Sequence, residues 1–158
     1  MVGVVKAYAT RVGNGPFPTE LADELGQQIR DTGHEYGATT GRPRRCGWYD
    51  SVVVRLACRV NGFSSLAITR LDILDELEEI KICTHYEHKG TQLEHFPADL
   101  NVLQTCEPVY ETLLGWESPT GDVRRLKDLP TNARAYLDRI DADWDAALGR
   151  LRAFVEQN

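Results

Sequence analysis

The sequence lacks the features that mark membrane and exported proteins. Nowhere does it approach the roughly 18 consecutive apolar residues that a membrane-spanning helix needs. Its first stretch, MVGVVKAYATRVGNG, has one lysine and a short apolar run but no signal-peptide cleavage site. We therefore expect a cytoplasmic protein with no membrane partner.

Basic charge is also scarce. The 158 residues carry 18 Lys and Arg against 24 Asp and Glu, a net charge of −6. Nucleic-acid-binding proteins usually carry a basic excess, so no nucleic-acid partner is expected. The exception is local: Arg42, Arg44 and Arg45 lie close together, with no acid between Glu35 and Asp50. A positive patch on an acidic protein suits a small anion.

Several motifs of catalytic and metal sites are absent as well. The chain has no G-x-x-x-x-G-K-[ST] phosphate loop, no S-x-x-K or G-x-S-x-G nucleophile motif and no C-x-x-C pair. No metal site is therefore predicted. The cysteines are predicted to be reduced, buried thiols. The histidines are predicted to lie on the surface. These residues are Cys46, Cys58, Cys83 and Cys106, and His34, His85, His88 and His95.

What the sequence does contain is enough for one globular domain, since 42% of its residues are hydrophobic. Residues 2–8 are apolar and β-branched, which predicts a strand. The segment TRVGNGPFPTE is rich in glycine and proline and predicts a loop. Residues 20–31 place apolar side chains on one helical face, with Thr19 as a candidate N-cap and Gly33 as the end.

Further along the chain, segments 34–48 and 98–120 are mixed or turn-rich. Asp50 is placed to cap a helix that ends at Asn61–Gly62, although its β-branched run also fits a strand. Residues 64–71 predict a buried strand, and 79–86 begin a hairpin that continues in QLEHF. The expected apolar positions of the helix capped by Asp50 are Val52, Val53, Leu56, Ala57 and Val60.

The chain from Pro130 onward predicts a helix with two apolar stripes. One contains Ala133, Tyr136, Leu137 and Ile140, and the other Trp144, Leu148, Leu151 and Val155. The order of elements indicates an α/β or α+β domain: a mixed sheet with flanking helices and a β-hairpin.

The loop between Gly37 and Arg45 is the most informative stretch. Its glycines let backbone amides approach a ligand, its threonines add hydroxyls, and its guanidinium groups can bind carboxylate or phosphate oxygens. These features describe an anion pocket. They equally describe a solvated turn whose arginines pair with nearby acids.

Asp72 is a second candidate, since it lies just past a predicted strand, where α/β sheets place ligand contacts. A carboxylate can accept both donors on the Watson–Crick edge of guanine, so it would select guanine over adenine. The alternative is an ordinary helix-capping or turn residue.

Four segments strongly resemble the C-terminal part of adenylosuccinate synthetase. They are KAYATRVGNGPFPTEL, HEYGATTGRPRRCGWYDSVVVR, LAITRLDILDELEEIKIC and EPVYETLLGW, and the likeness runs from about residue 2 to about residue 140. The resemblance implies the C-terminal portion of that fold. It also implies a ligase of purine (AMP) biosynthesis that joins IMP and L-aspartate at the expense of GTP, with magnesium.

The resemblance assigns roles to both candidate sites. It implies that the loop binds the L-aspartate substrate through Ala38, Thr39, Thr40, Gly41, Arg42, Pro43 and Arg44. Arg42 would also reach IMP, and Arg44 would reach GTP. The segment Thr69-Arg70-Leu71-Asp72 matches the part of the family that reads guanine, so Arg70, Leu71 and Asp72 are expected at the GTP site. Arg70 stands where the family usually has lysine.

The same resemblance implies that the family's phosphate loop, its acid and base and its magnesium ligands precede the matched region. No catalytic residue and no magnesium ligand is therefore expected in this chain. We expect an isolated chain to be inactive, and to associate with itself or with a partner that supplies the N-terminal half. The alternatives are a non-catalytic binding or regulatory module and a truncated remnant. Residues 1–140 are predicted to form the synthetase-like region and residues 141–158 a divergent C-terminal helix.

Overall fold

A computed structural model of the chain describes residues 1–148, with side chains described through Trp144. The strands are β1 (Val2–Lys6), β2 (Ala9–Arg11), β3 (Arg45–Gly47), β4 (Tyr49–Asp50), β5 (Ser65–Thr69), β6 (Glu79–His88), β7 (Thr91–Leu93) and β8 (Glu107–Leu114). The α-helices are α1 (Glu24–Thr32), α2 (Ser51–Asn61), α3 (Leu100–Thr105) and α4 (Thr131–Leu148). Short 3-10 turns occupy Leu71–Leu74 and Leu126–Asp128.

The strands form one four-stranded sheet and two pairs. In the larger sheet, β6 pairs with β4 in parallel and with both β7 and β8 in antiparallel orientation. β1 and β5 form a parallel pair in which Val2 lies opposite Ser65 and Lys6 opposite Thr69. β2 pairs with β3 in antiparallel orientation. This mixed arrangement with flanking helices confirms the predicted fold class.

The main core lies where α1 and α4 meet these strands. Tyr136 is fully buried, stacks at a tilt against Trp116 with ring centroids 5.9 Å apart, and donates a hydrogen bond to the carbonyl oxygen of Ala7. Ala133 and Ile140 lie buried on the same face of α4. The first predicted stripe of this helix is therefore confirmed at three positions, while Leu137 packs against the core from its edge.

Several predicted boundaries are confirmed. Asp50 caps α2 by accepting hydrogen bonds from the backbone nitrogens of Val52 and Val53, and α2 ends at Gly62 with a left-handed φ of 62°. The hairpin joins β6 to β7 through Lys89 and Gly90. Capping and turn chemistry act over a few residues, which is why the sequence alone reveals them.

The predicted start of the first helix is wrong. α1 begins at Glu24 and is capped by Asp23, whose carboxylate accepts from the backbone nitrogen of Gly26. The reason is tertiary: Glu20 forms an isolated bridge with Gly47, which keeps residues ahead of the helix extended. Thr19 is buried, and its carbonyl oxygen accepts from Trp48.

Three other segments differ from the prediction. The expected loop that begins at Thr10 starts inside β2, the turn-rich segment 98–120 contains α3 and β8, and the loop 34–48 ends in β3. The sequence pattern does not reveal these strands, because each is stabilised by pairing with a distant segment: β8 pairs along most of β6, and β2 pairs with β3. β5 is half-buried rather than buried, with Ala67 and Thr69 exposed.

The predicted apolar stripe of α2 is mostly on the solvent side. Val52 is buried, but Val53, Leu56 and Val60 are exposed and Ala57 is half-buried. The buried face instead includes Ser51 and Cys58. The residue spacing located a helix correctly but did not show which of its faces packs inward.

The C-terminal helix runs without a break from Thr131 to Leu148, through residue 140. Trp144 of the second predicted stripe is buried. The side chain of Leu148 and all of Leu151 and Val155 lie outside the described part of the chain, as do residues 149–158. The proposed boundary at residue 140 stays a prediction.

Candidate functional site

The loop between α1 and β3 closes on itself at its base and opens to solvent at its tip. The backbone nitrogen of Gly37 donates to the carbonyl oxygen of Arg42 at 2.9 Å, and that of Gly41 donates to Gly37 at 2.8 Å. Tyr36 and Pro43 form a bridge below this turn. Gly41 has a positive φ of 64°, which glycine adopts without strain. We call Gly37–Arg45 the arginine loop.

Arg45 is fully occupied with structural contacts. Its Nε donates to Glu20 Oε1 at 2.7 Å, and its Nη2 donates to the other oxygen of the same carboxylate. Its Nη1 donates to the carbonyl oxygens of Gly13 and Gly15 at 3.0 and 2.6 Å. The guanidinium also stacks 5.5 Å from the ring centroid of Phe17. The Arg45 hydrogen bond holds the pKa of Glu20 below its ordinary value. Arg45 therefore fastens the loop base.

Arg44 and Arg42 are progressively more available to a ligand. Arg44 donates one hydrogen bond through Nη1 to Glu35 Oε2 at 2.8 Å, and 35% of its side chain is exposed. Arg42 is exposed, and its guanidinium has no ion-pair partner among the side chains of residues 1–144. The arrangement thus combines the two alternatives left open by the sequence: two arginines pair with acids, while Arg42 and part of Arg44 face solvent.

Glu35 is the carboxylate on which the loop rests. It is 2% exposed, and its Oε1 accepts from Lys6 Nζ at 2.6 Å and from the Tyr8 hydroxyl at 2.6 Å. Burial raises the pKa of Glu35, but hydrogen bonds from Lys6, Tyr8 and Arg44 outweigh it, and the pKa lies below its ordinary value. Burial and the Glu35 hydrogen bond raise the pKa of Tyr8.

The sequence did not single out this network. Glu35 lies 29 residues from Lys6 and 27 from Tyr8, so no spacing pattern joins them. The available signal is compositional: Glu35 is the acid that immediately precedes an arginine-rich loop in an otherwise acid-free stretch.

The second candidate site follows β5. Arg70 adopts a left-handed conformation, with φ of 63°, and the 3-10 turn Leu71–Leu74 begins directly after it. Arg70 Nη2 donates to the carbonyl oxygen of Gly33 at 2.7 Å, where α1 ends. Its Nε is buried and has no hydrogen-bond partner within residues 1–148. Asp72 is exposed.

Asp72 lines an open cleft of about 460 Å³, a size that admits a small molecule. The other lining residues are Thr32, Ile73, Asp75, Glu76, Glu117, Ser118 and Pro119. Asp75 fixes one wall, because its carboxylate accepts from Trp116 Nε1 and from both the backbone nitrogen and the hydroxyl of Thr120, each at 2.7 Å. Asp75 thus fixes both ends of the segment 116–120, whose residues 117–119 line the cleft.

The two candidate sites share one short segment. Arg70, which precedes Asp72, reaches the carbonyl of Gly33, and Arg44 in the arginine loop reaches the carboxylate of Glu35. His34 lies between them with a positive φ of 49°. The segment 33–35 therefore contacts both sequence-predicted sites: Gly33 binds the segment before Asp72, and Glu35 binds the arginine loop.

Comparison with known proteins decides the family. A family model described as adenylosuccinate synthetase matches residues 1–149 of the chain. The chain belongs to the adenylosuccinate synthetase family. The match includes the arginine loop and the segment around Asp72.

Individual relatives agree with this assignment. The chain is 58% identical over 138 residues to adenylosuccinate synthetase from Gloeobacter violaceus and 59% identical over 140 residues to that from Shouchella clausii. These alignments cover 87% and 89% of the chain but only 31% and 33% of the relatives. The chain therefore spans about a third of the length of these synthetases.

A solved structure, fully ligated adenylosuccinate synthetase from Plasmodium falciparum, matches with a TM-score of 0.86 at 41% identity. The match covers 90% of this chain and 34% of that one. The fold is therefore that of part of the synthetase.

Among the side chains that the structure describes, those of residues 1–144, no three or more His, Cys, Asp or Glu residues are grouped to hold a metal. All four cysteines are free and buried, as predicted. No helix in the described range is long and apolar enough to cross a membrane.

Proposed function

We propose that this chain supplies the L-aspartate loop and part of the guanine site of an adenylosuccinate synthetase. The complete enzyme would convert IMP, L-aspartate and GTP to adenylosuccinate, GDP and phosphate, as a cytoplasmic ligase of purine biosynthesis. Membership of the family supports the reaction. The observation that carries the local role is that one loop presents the exposed side chain of Arg42 and the partly exposed side chain of Arg44.

The arginine loop suits a dicarboxylate. Guanidinium groups bind carboxylates through paired N–H donors, and the exposed hydroxyls of Thr39 and Thr40 add short donors. In this proposal Arg42 also reaches IMP, and Arg44 also reaches GTP. The aspartate-binding set is Ala38, Thr39, Thr40, Gly41, Arg42, Pro43 and Arg44.

The segment Arg70, Leu71 and Asp72 would receive the base of GTP. The exposed carboxylate of Asp72, at the rim of the cleft, is an acceptor for the two adjacent donors of guanine. Arg70 is fastened to Gly33, so it would act on the base by holding this segment in place rather than as a mobile cation.

Catalysis would depend on the rest of the synthetase fold. Phosphoryl transfer to IMP requires a phosphate cradle and magnesium, and we propose that the remaining two thirds of the fold, in the same polypeptide or a second one, provides both. The GTP and magnesium of the reaction would thus be held only in part, or not at all, by the residues described here.

The β1–β5 pair offers the docking surface for that remainder. Within the described residues β1 pairs only with β5, so its other edge is open. On one face of the pair, Phe63 and Leu66 cover Gly3. On the opposite face Val2 is 61% exposed and Val4 is 75% exposed. Parallel sheets are normally covered on both faces, so we propose that the remainder adds a strand and a covering layer here.

An activity assay tests the proposal. Adenylosuccinate formation is measured with IMP, GTP, magnesium and L-aspartate, using the chain alone and the chain co-expressed with the preceding part of the Gloeobacter violaceus relative. We expect activity only in the co-expressed sample. Succinate binding to the chain without any reconstituted activity would favour a non-catalytic binding module. If the chain neither binds succinate nor restores activity in the co-expressed sample, the proposed role is contradicted.

A further inference from the structure

The two oxygens of Glu35 serve different sides of the fold. Oε1 accepts from Lys6 on β1 and from Tyr8, which is buried in the core. Oε2 accepts from Arg44 in the arginine loop. Since two donors fix Oε1, the direction in which Oε2 points is fixed as well. The Glu35 carboxylate therefore links Lys6 on β1 to Arg44 in the arginine loop, whose tip is exposed.

Arg44 is held at three points, and two of them belong to Glu35. Its backbone nitrogen donates to the Glu35 carbonyl at 2.9 Å, and its Nη1 donates to the Glu35 carboxylate at 2.8 Å. The third contact is from Arg30, whose Nε donates to the Arg44 carbonyl at 2.7 Å. A guanidinium has five N–H donors, so the single bond from Nη1 to Glu35 leaves donors available on a side chain that is 35% exposed.

The Glu20–Arg45 pair shows the contrasting arrangement. Both oxygens of Glu20 bind Arg45, and the remaining Nη of Arg45 is taken by the carbonyls of Gly13 and Gly15. The Glu20 carboxylate and the Arg45 guanidinium are thus occupied by contacts within the fold. Glu35 instead divides its oxygens between three partners, and two cations face its single negative charge. The Glu35 cluster thus retains positive charge for an anion.

We propose that Glu35 is a positioning residue for the arginine loop: anchored by Lys6 and Tyr8, it holds Arg44 with the free edge of its guanidinium turned outward to an anionic ligand. The ligand class is a carboxylate or phosphate, the partners that a fixed guanidinium edge binds best. This inference rests on the proposed function for the identity of the ligand. The restraint of Arg44 by Glu35 stands independently of it.

The test compares Glu35→Gln with Glu20→Gln, since each removes the carboxylate partner of one arginine in the same loop. Side-chain NMR of the ¹⁵N-labelled chain measures the rotation of the Arg44 guanidinium, assigned with Arg44→Lys. Calorimetry with succinate measures binding. We expect Glu35→Gln to release the rotation of Arg44 and to weaken succinate binding about tenfold, as for a lost charge-assisted hydrogen bond. Glu20→Gln should leave both the rotation of Arg44 and succinate binding within about twofold, because Arg45 keeps its hydrogen bonds to Gly13 and Gly15 at the loop base.

Unchanged rotation of Arg44 in Glu35→Gln would overturn the proposal, as would equal weakening of succinate binding by both variants. If the unmutated chain binds no succinate, the aspartate-loop function fails, and the rotation measurement still decides the role of Glu35. Should Glu35→Gln not fold, Tyr8→Phe replaces it, because it removes one anchor and leaves the charge. Faster rotation of Arg44 in Tyr8→Phe supports the proposal, and unchanged rotation overturns it.

Discussion

The hydroxyl of Tyr86 donates a 2.6 Å hydrogen bond to Oδ2 of Asp50, while Oδ1 of the same carboxylate caps α2. Both side chains are buried. One aspartate therefore joins the start of a helix to the central strand β6. Because Asp50 makes both contacts, we expect its removal to destabilise the fold more than the loss of a helix cap alone.

We expect Asp50→Ala to lower the free energy of unfolding by about 2 to 4 kcal/mol. About 1 kcal/mol comes from the lost cap, and the rest from a buried tyrosine hydroxyl left without its acceptor. Urea denaturation measures the change. Asp99→Ala is the matched control, because Asp99 caps α3 at Asn101 with no buried partner. That control should cost only about 1 kcal/mol. Equal costs for both variants would contradict the dual role.

Glu35 predicts a defined pH dependence. Its pKa is lower in the folded chain than its ordinary value of 4.5, because Lys6, Tyr8 and Arg44 favour the charged form despite burial. The stability it contributes is therefore complete above the ordinary value and is lost as the pH falls through the folded pKa. We expect the stability difference between the unmutated chain and Glu35→Gln to shrink on acidification from pH 6 towards pH 3. A pH-independent difference would show that the charge of Glu35 is not involved.

Arg42 should matter for ligand binding and not for folding. Because its side chain is exposed and has no ion-pair partner among the side chains of residues 1–144, Arg42→Ala should change stability by less than about 0.5 kcal/mol. Succinate binding, measured by calorimetry, should weaken about tenfold or more. Arg124→Ala removes an exposed arginine that is not part of the arginine loop and should leave binding unchanged. Weakening by both variants alike would point to general charge rather than to the loop.

Val4→Lys should prevent docking of the remaining synthetase fold without unfolding the chain, because Val4 is already exposed. Co-purification with the preceding part of the family enzyme, followed by analytical ultracentrifugation, measures the association. Leu100→Lys introduces the same charge at an exposed position of α3 and should not interfere. Without the remainder, the unmutated chain should self-associate at high concentration through the same surface. A monomer at every concentration would count against an uncovered docking face.

The cysteines should be unreactive in the folded chain. Burial raises the pKa of Cys46 and of Cys58 to about 11, so little thiolate is present at pH 8. An aromatic disulfide reagent should label the thiols at least about a hundredfold more slowly in buffer than in urea. Rapid labelling of a single thiol under native conditions would show that one of them is accessible.

Local chemistry explains which parts of this fold could be predicted. The Asp50 cap, the Gly62 end of α2 and the Lys89–Gly90 turn each depend on a few adjacent residues, and all are confirmed. β8 and the start of α1 depend on partners distant in sequence, such as β6 and Gly47, and were not recognised.

The candidate site divides in the same way. Arg42 and Arg44 were singled out because glycines, hydroxyls and guanidinium groups lie together in one loop, and Asp72 because it follows a predicted strand; their binding roles stay predictions. Glu35 and Lys6 are brought together only by the fold, and the free edge of β1 is apparent only once β5 is its sole described partner. Contacts between distant residues carry no periodic signal, so sequence patterns could not reveal them.

The pairing of β1 with β5 also bears on the order in which the chain assembles. Ser64 contacts Met1 across 63 residues, whereas the β6–β7 hairpin closes over a two-residue turn. Contacts of such long separation form late, because a large loop must close first. By this reasoning β1 pairs with β5 later than the β6–β7 hairpin closes. A nascent chain would therefore hold β1 without its β5 partner until residues 65–69 have been made.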